Sequence, residues 1–357
     1  MAVHNLKHPS YLILISGILV SLFGLVAIYD ASVLDAFNTF GDKFHYVKQQ
    51  ASWLALGIFV SLIVAKIPLT FLKKISPTIL IASLVLMILV LIPGIGSKFL
   101  GARRWLIFGP LVIQPAEILK ISLILYLSHW LEKSRLLTHF LLIIGVCMAL
   151  LMLQPDLGTA IIIVGASFLV YYLSGAPIKH ILSFSSILLS AVAILILLSP
   201  YRLDRVKTFL DPTSDPLGRS YHINQVLYGI GSGGLGGVGL GRSRQKYAFL
   251  PEATTDSIFV IIAEEFGFLG ASATIALLAY LVWASFKVAL LAKDKFGKML
   301  ASGVSLLFLV QIFVNLSSMV ALIPLTGVPL PFISYGGSSL VSNFLALGLL
   351  INVSQSS

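Results

Sequence analysis

The side chains able to do chemistry in this chain are few, and most stand where an apolar stretch opens. Gln114-Pro115-Ala116-Glu117, Gln154-Pro155-Asp156, Thr254-Thr255-Asp256-Ser257 and Gly336-Gly337-Ser338-Ser339 each precede or begin such a stretch. A helix start leaves unpaired N–H groups and the positive end of the helix dipole, which attract anions and phosphates in particular. Each piece alone also has an ordinary reading. Proline followed by an acid is common helix-start chemistry, Asp156 and the serines serve as well as caps, and Asp256 could merely complement a dipole. The signal lies in their alternation along the chain, which places all four on one side if the stretches cross a membrane.

Glu117 and Lys120 are three residues apart, on one face of a helix about one turn deep. Ionisable groups at such depth are costly unless paired, so the pair reads equally as a structural ion pair or as part of a site. Glu264 lies roughly 80° from Asp256 around its helix and Glu265 roughly opposite, so neither pairs with it by helical geometry. The seven histidines are scattered without metal-ligand spacing. No Ser/His/Asp order stands out.

The elements that must position these groups are membrane spans. Of the 357 residues 58% are hydrophobic and only 11% charged, which excludes a soluble domain, a disordered tail and a disulfide scaffold. One cysteine, Cys147, sits in an apolar run. Apolar segments of spanning length begin near Tyr11, Tyr46, Ile75, Pro115, Phe140, Leu157, Ile181, Ser257, Met299 and Ser338. The expectation is an all-α integral membrane protein of about ten helices, residues 1–357 forming a single polytopic domain. The first stretch, Tyr11 to Tyr29, lacks a following cleavage site and reads as a retained span.

Ten spans put both termini on one side. A cytoplasmic N-terminus collects eleven Lys and Arg inside, from Lys7 to Lys298, against five in the short outer loops. One long extracytoplasmic loop, about 200–255 between spans 7 and 8, adds seven more, among them Arg202, Arg205, Arg242, Arg244 and Lys246. The chain is basic (24 Lys+Arg against 14 Asp+Glu), which fits this topology and an anionic, membrane-borne ligand rather than nucleic acid. Within the loop, Tyr201–Leu210 has the pattern of a short helix lying on membrane lipid, ended by Asp211-Pro212. Gly229 to Gly241 holds eight glycines in thirteen residues and matches G-x-G-x-x-G, but neither the preceding strand nor the βαβ setting of a dinucleotide site is present. It reads as a flexible or close-packed segment.

Taken together, the motifs resemble the SEDS family (shape, elongation, division and sporulation proteins). The resemblance is carried by Gly101-Ala102-Arg103-Arg104-Trp105 with Gln114-Pro115-Ala116-Glu117, Gln154-Pro155-Asp156-Leu157-Gly158-Thr159, Pro251-Glu252-Ala253-Thr254-Thr255-Asp256 with Ala263-Glu264-Glu265-Phe266-Gly267, and Pro331-Phe332-Ile333-Ser334-Tyr335-Gly336-Gly337-Ser338-Ser339. It runs from first span to last. Ser257 stands where the family more often has phenylalanine, and Thr254 where histidine is common. Tyr201-Arg202, Arg205-Val206, Gly239-Leu240-Gly241, Gln245-Lys246 and Leu250-Pro251-Glu252-Ala253 look closer to the division-type members than to the elongation type.

The resemblance implies a ten-helix protein of the bacterial cytoplasmic membrane that polymerises lipid II into glycan strands outside it, with a class B penicillin-binding protein as transpeptidase partner. On that reading Asp256 is the general base, and Arg202, Arg205, Arg242, Arg244 and Lys246 receive phosphate. Glu117, Lys120, Asp156, Ser338 and Ser339 shape the substrate cavity. A divalent cation (Mg or Mn) would help the leaving group, although no dedicated ligand set is visible. A lipid II flippase, an elongation-type polymerase and a non-catalytic scaffold are the alternatives.

Overall fold

The computed structural model describes residues 9–99, 101–109, 111–197, 199–211, 213, 215–216, 218, 220–247 and 250–356. Helix is nearly everywhere. Ten long helices, of 17 to 34 residues, follow in order: α1 Pro9–Phe40, α2 His45–Val64, α3 Leu69–Leu89, α4 Pro115–Lys133, α5 Leu137–Leu153, α6 Leu157–Leu173, α7 Ile178–Leu197, then α10 Ile258–Leu291, α11 Lys295–Met319 and α12 Gly337–Ser356. Two shorter ones, α8 Pro200–Leu210 and α9 Tyr221–Gly233, lie between α7 and α10. Six helices are long and apolar enough to cross a bilayer, and three of the others are shorter and apolar. The chain is a multi-pass helical membrane protein.

The buried centre is built from α4, α11 and α12, whose residues are enclosed on most sides, while α2 and α3 expose many apolar side chains as lipid-facing helices do. α2 packs along α12, α3 along α4, and α10 along α11 and α1. Helix α8 forms where the sequence pattern predicts it. Pro200 occupies its first turn, and Asp211 caps its end.

One element was not legible beforehand. Residues 96–113 form a three-stranded antiparallel meander, β1 Gly96–Phe99, β2 Ala102–Phe108 and β3 Leu111–Ile113, with a bulge at Ser97/Lys98. Arg104 on β2 docks it to the bundle by donating from Nε to the Gln154 carbonyl at 2.9 Å and from Nη2 to that of Pro155. The motif around Arg103-Arg104 is thus a clamp between the sheet and the turn that opens α6.

The glycine-rich run is close-packed at Gly229, Gly233 and Gly237. Its first residues end α9 at Gly233, and the rest lie against a kink in α10. At that kink Gly267 has φ +64, and a Cβ on it would lie 2.3 Å from the Gly237 backbone nitrogen, so neither strand of the contact tolerates a side chain. Val238 and Gly239 donate to the Glu264 and Glu265 carbonyls, and Phe268 and Leu269 donate back to Gly234 and Leu235.

Candidate active site

The four helix starts singled out by the sequence meet at one end of the bundle. Gln114, which caps α4, donates its backbone N–H to Ser338 Oγ on the first turn of α12 at 3.1 Å. The Gln114 side chain reaches Asp156, the cap of α6, at 3.5 Å. Tyr335 N–H donates to the Thr254 carbonyl and Ser334 Oγ to that of Thr255, tying the approach to α12 to the turn that opens α10. Convergence of loops there gives the molecule its one wide cavity among those found in the described residues.

That cavity, about 380 Å³, is lined by Asp204, Arg205, Thr208 and Phe209 of α8, His222 and Ile223 of α9, Asp256, and Leu325 and Gly327 of the loop between α11 and α12. Asp256 stands two residues before α10. Thr255 Oγ1 lies 2.7 Å from Asp256 Oδ1, while Oδ2 has no hydrogen bond among the described residues. Removal from water pushes the Asp256 carboxyl above the ordinary carboxylate range; the Thr255 hydrogen bond, the backbone and the Arg205 charge pull the other way and only partly offset it. Arg205 donates from Nη1 to the Leu325 carbonyl at 2.6 Å, which fixes its guanidinium on the cavity wall. Gly327 has φ +68, and a Cβ there would lie 3.5 Å from Asp256 Oδ2.

His222 had been grouped with the scattered histidines and is a cavity residue. Its Nε2 is 3.0 Å from Ser257 Oγ. Burial, together with the Arg205 charge, lowers its pKa to about 4, with Glu252 opposing weakly. Its imidazole is neutral near pH 7 and a weak base. The signal was its place on the second residue of a helix start, visible only once α9 is recognised.

The remaining expected site residues fall elsewhere. The Arg202 side chain lies outside the described residues. Lys246 is not a cavity residue: it is buried and held by Asp30 at 2.9 Å and Glu265 at 3.0 Å. Arg242 and Arg244 are exposed on the adjoining turn and do not line the cavity. Glu264 and Glu265, which helical spacing sets apart from Asp256, fold under the glycine-rich turn. Glu264 accepts from Ser243 Oγ and from the N–H groups of Arg244 and Gln245, and Glu265 from those of Gly241 and Ser243. Asp156 accepts from Thr159 N at 3.2 Å and Thr159 Oγ1 at 2.9 Å and caps α6, while Ser338 donates to the Val112 carbonyl at 2.6 Å and so ties the first turn of α12 to β3. Ser339 shares the first turn of α12.

Glu117 and Lys120 are 3% and 2% exposed and paired at 2.9 Å, and neither lines the cavity. The pairing compensates the burial of both charges. No group of three His, Cys, Asp or Glu among the described residues is arranged to hold a metal ion.

A bundle of apolar helices whose loops bring a carboxylate and a guanidinium into one cavity at its end defines a class of polytopic membrane protein with a polar site at one end of the bundle. The chain belongs to the FtsW/RodA/SpoVE family of cell cycle proteins, whose model matches residues 10–357. It is 38% identical over 355 residues to stage V sporulation protein E of Bacillus subtilis, covering 97% of each chain. It is 36% identical to the probable peptidoglycan glycosyltransferase FtsW of Trichlorobacter lovleyi, over 98% of this chain and 94% of that one. Among solved structures it resembles a chain of a peptidoglycan synthase complex that coordinates polymerization and crosslinking, with TM-score 0.76, 31% identity and 94% and 97% coverage. It also resembles the rod shape determining protein RodA of Thermus thermophilus, with TM-score 0.72, 28% identity and 96% of each chain covered.

Proposed function

We propose that this protein is a peptidoglycan glycosyltransferase that polymerises lipid II at the extracytoplasmic face of the bacterial cytoplasmic membrane, in cell division. All ten long helices cross the bilayer as a single polytopic domain with both termini in the cytoplasm, and the connection 200–255 lies outside. A class B penicillin-binding protein supplies the crosslinking that follows. FtsW relatives with glycosyltransferase names, and the likeness to a synthase complex, support this reading.

The observation that carries it is the shared cavity of Asp256 and Arg205. Strand growth joins a sugar 4-hydroxyl oxygen to the anomeric carbon of another unit. As that bond forms, the bond from the anomeric carbon to the pyrophosphate breaks, and the pyrophosphate leaves with the electron pair. Asp256 accepts the hydroxyl proton, for which its raised pKa suits it, and Arg205 neutralises charge growing on the departing oxygens. His222, neutral, offers hydrogen bonds to sugar or phosphate.

A flippase needs a polar route through the bilayer. In the buried interior Lys120 is held between Glu117 and Gln311, which favours chemistry at one face. The deciding experiment incubates the purified chain, alone and with its transpeptidase, with labelled lipid II. A ladder of glycan products that disappears in Asp256→Asn supports the assignment; polymer from that variant, or relocation of lipid II without products, refutes it.

A further inference from the structure

The buried ion pair of α4 stands off the cavity, yet a chain of hydrogen bonds leads from it to Asp256. Lys120 Nζ donates to Gln311 Oε1 on α11 at 2.9 Å. Gln311 Nε2 then donates to the Pro329 carbonyl at 3.0 Å. One turn along α11, Asn315 Nδ2 donates to the Val328 carbonyl at 2.6 Å and to the carbonyl of Asp256 itself at 2.9 Å. Gln311 and Asn315 are both 0% exposed. Val328 directly follows Gly327 of the cavity wall, and Leu325 of the same loop receives Arg205.

The chemistry of the partners dictates which way each amide points. An ammonium group can only donate, so it selects the oxygen of Gln311 and leaves the nitrogen for Pro329. Proline has no N–H, so that nitrogen meets a carbonyl and nothing else. Asn315 faces two carbonyls and must present its nitrogen to both. Without Lys120 the Gln311 amide loses the group that orients it, and an oxygen turned toward the Pro329 carbonyl would repel it. Glu117 in turn holds Lys120 in place and neutralises it in a setting where a lone charge is costly.

We propose that Gln311, oriented by the Glu117–Lys120 pair, and Asn315, oriented by the two carbonyls it faces, are positioning residues that hold Asp256 and the facing loop in the reacting geometry. This inference rests on Asp256 being the carboxylate that acts on the substrate. Lys120 and Glu117 do not touch substrate; their influence passes through α11. A displacement of about 1 Å at a reacting group costs on the order of hundredfold in rate, so the effect falls on turnover rather than on binding.

The test measures kcat and KM for lipid II in the full-length chain with its transpeptidase present. Gln311→Met is expected to lower kcat by about tenfold to hundredfold with KM unchanged. Lys120→Met leaves Glu117 uncompensated and can fail to fold, so Glu117→Gln/Lys120→Met, which removes both charges, is the companion variant. Combined with Gln311→Met it is expected to be no slower than the slower of the two, because both interrupt the same chain of bonds. Lys120→Arg, which keeps a donor toward Gln311, is expected to recover turnover that Lys120→Met loses. A rise in KM at constant kcat, multiplicative losses in the combined variant, or normal kinetics in Gln311→Met would each overturn the proposal. Asp256→Asn in the same assay separates the two levels. If it polymerises, the function assigned to Asp256 fails; if it is inactive while Gln311→Met is normal, only the positioning role fails.

Discussion

Helix α10 carries two acidic sites with opposite fates. At its start, Asp256 leaves Oδ2 without a hydrogen bond among the described residues, faces a cavity, and is held above the ordinary carboxylate range by burial. Two turns further on, Glu264 and Glu265 receive a ring of backbone N–H groups, a serine hydroxyl and the Lys246 ammonium. The first arrangement keeps a carboxylate reactive at a cost to the fold. The second uses carboxylates to gather a glycine-rich turn that has few side chains of its own to pack. Along this helix the acid that faces the cavity keeps an oxygen free of hydrogen bonds among the described residues, and the acids that act as fasteners do not.

The largest expected effect tests the first half of that contrast. Asp256→Asn removes the proton acceptor and is expected to cut polymerisation by at least about hundredfold. Because the fold raises the Asp256 pKa, it disfavours the charged form, and the neutral amide should leave thermal stability equal or higher. A loss of stability in that variant would place Asp256 with the fasteners. Glu265→Ala is expected to do the reverse: it leaves the Lys246 ammonium with Asp30 alone and strands the Gly241 and Ser243 N–H groups, destabilising the fold by about 3–5 kcal/mol. Turnover per folded molecule should stay near normal, as read by thermal unfolding in detergent beside the polymerisation assay.

Arg205→Lys separates charge from shape. The ammonium keeps the positive charge but loses the planar fork that bridges the Leu325 carbonyl and the cavity. A loss of about tenfold in kcat/KM is expected, from one charge-assisted hydrogen bond of about 1.5–3 kcal/mol. The pH profile gives a finer distinction between Asp256 and His222. A base must be unprotonated, so activity falls as pH drops through its pKa. A raised Asp256 pKa places that acid limb higher than for an ordinary carboxylate, and losing the Arg205 charge moves it higher still. His222, with a pKa of about 4, is neutral throughout the neutral range, so His222→Gln should leave the limb in place. Disappearance of the limb in His222→Gln would transfer the base to the imidazole.

The helices that position this site were legible because apolar length and Pro-plus-acid or serine starts are local signals: Pro115, Asp156 and Ser257 each lie at the helix opening the sequence marks. Asp256 and Arg205 were legible by type and by resemblance. Lys246 was misplaced because its partner Asp30 is 216 residues away, and no spacing rule reports that. The sheet at 96–113 was missed because its strands are only three to seven residues long and docked through Arg104. Gln311 and Asn315 did leave a readable trace: two amides four residues apart in an apolar helix, a spacing that puts both on one face.

The smallest effect probes how closely the cavity wall approaches the reactive carboxylate. Gly327 adopts φ +68, where an L-residue is strained by about 1 kcal/mol or more, and an added methyl would stand 3.5 Å from Asp256 Oδ2. That distance is ordinary van der Waals contact, so Gly327→Ala does not collide with the carboxylate; it takes away apolar-free space on the side where a sugar hydroxyl must reach Oδ2. The expected outcome is a modest loss of stability together with a few-fold fall in kcat/KM, larger than the change caused by alanine at the exposed Gly231, whose added Cβ meets nothing within 4 Å. Equal behaviour of the two variants would mean that substrate approaches Asp256 from another side, and the contrast between the open acid and the fastened pair would then rest on hydrogen bonding alone.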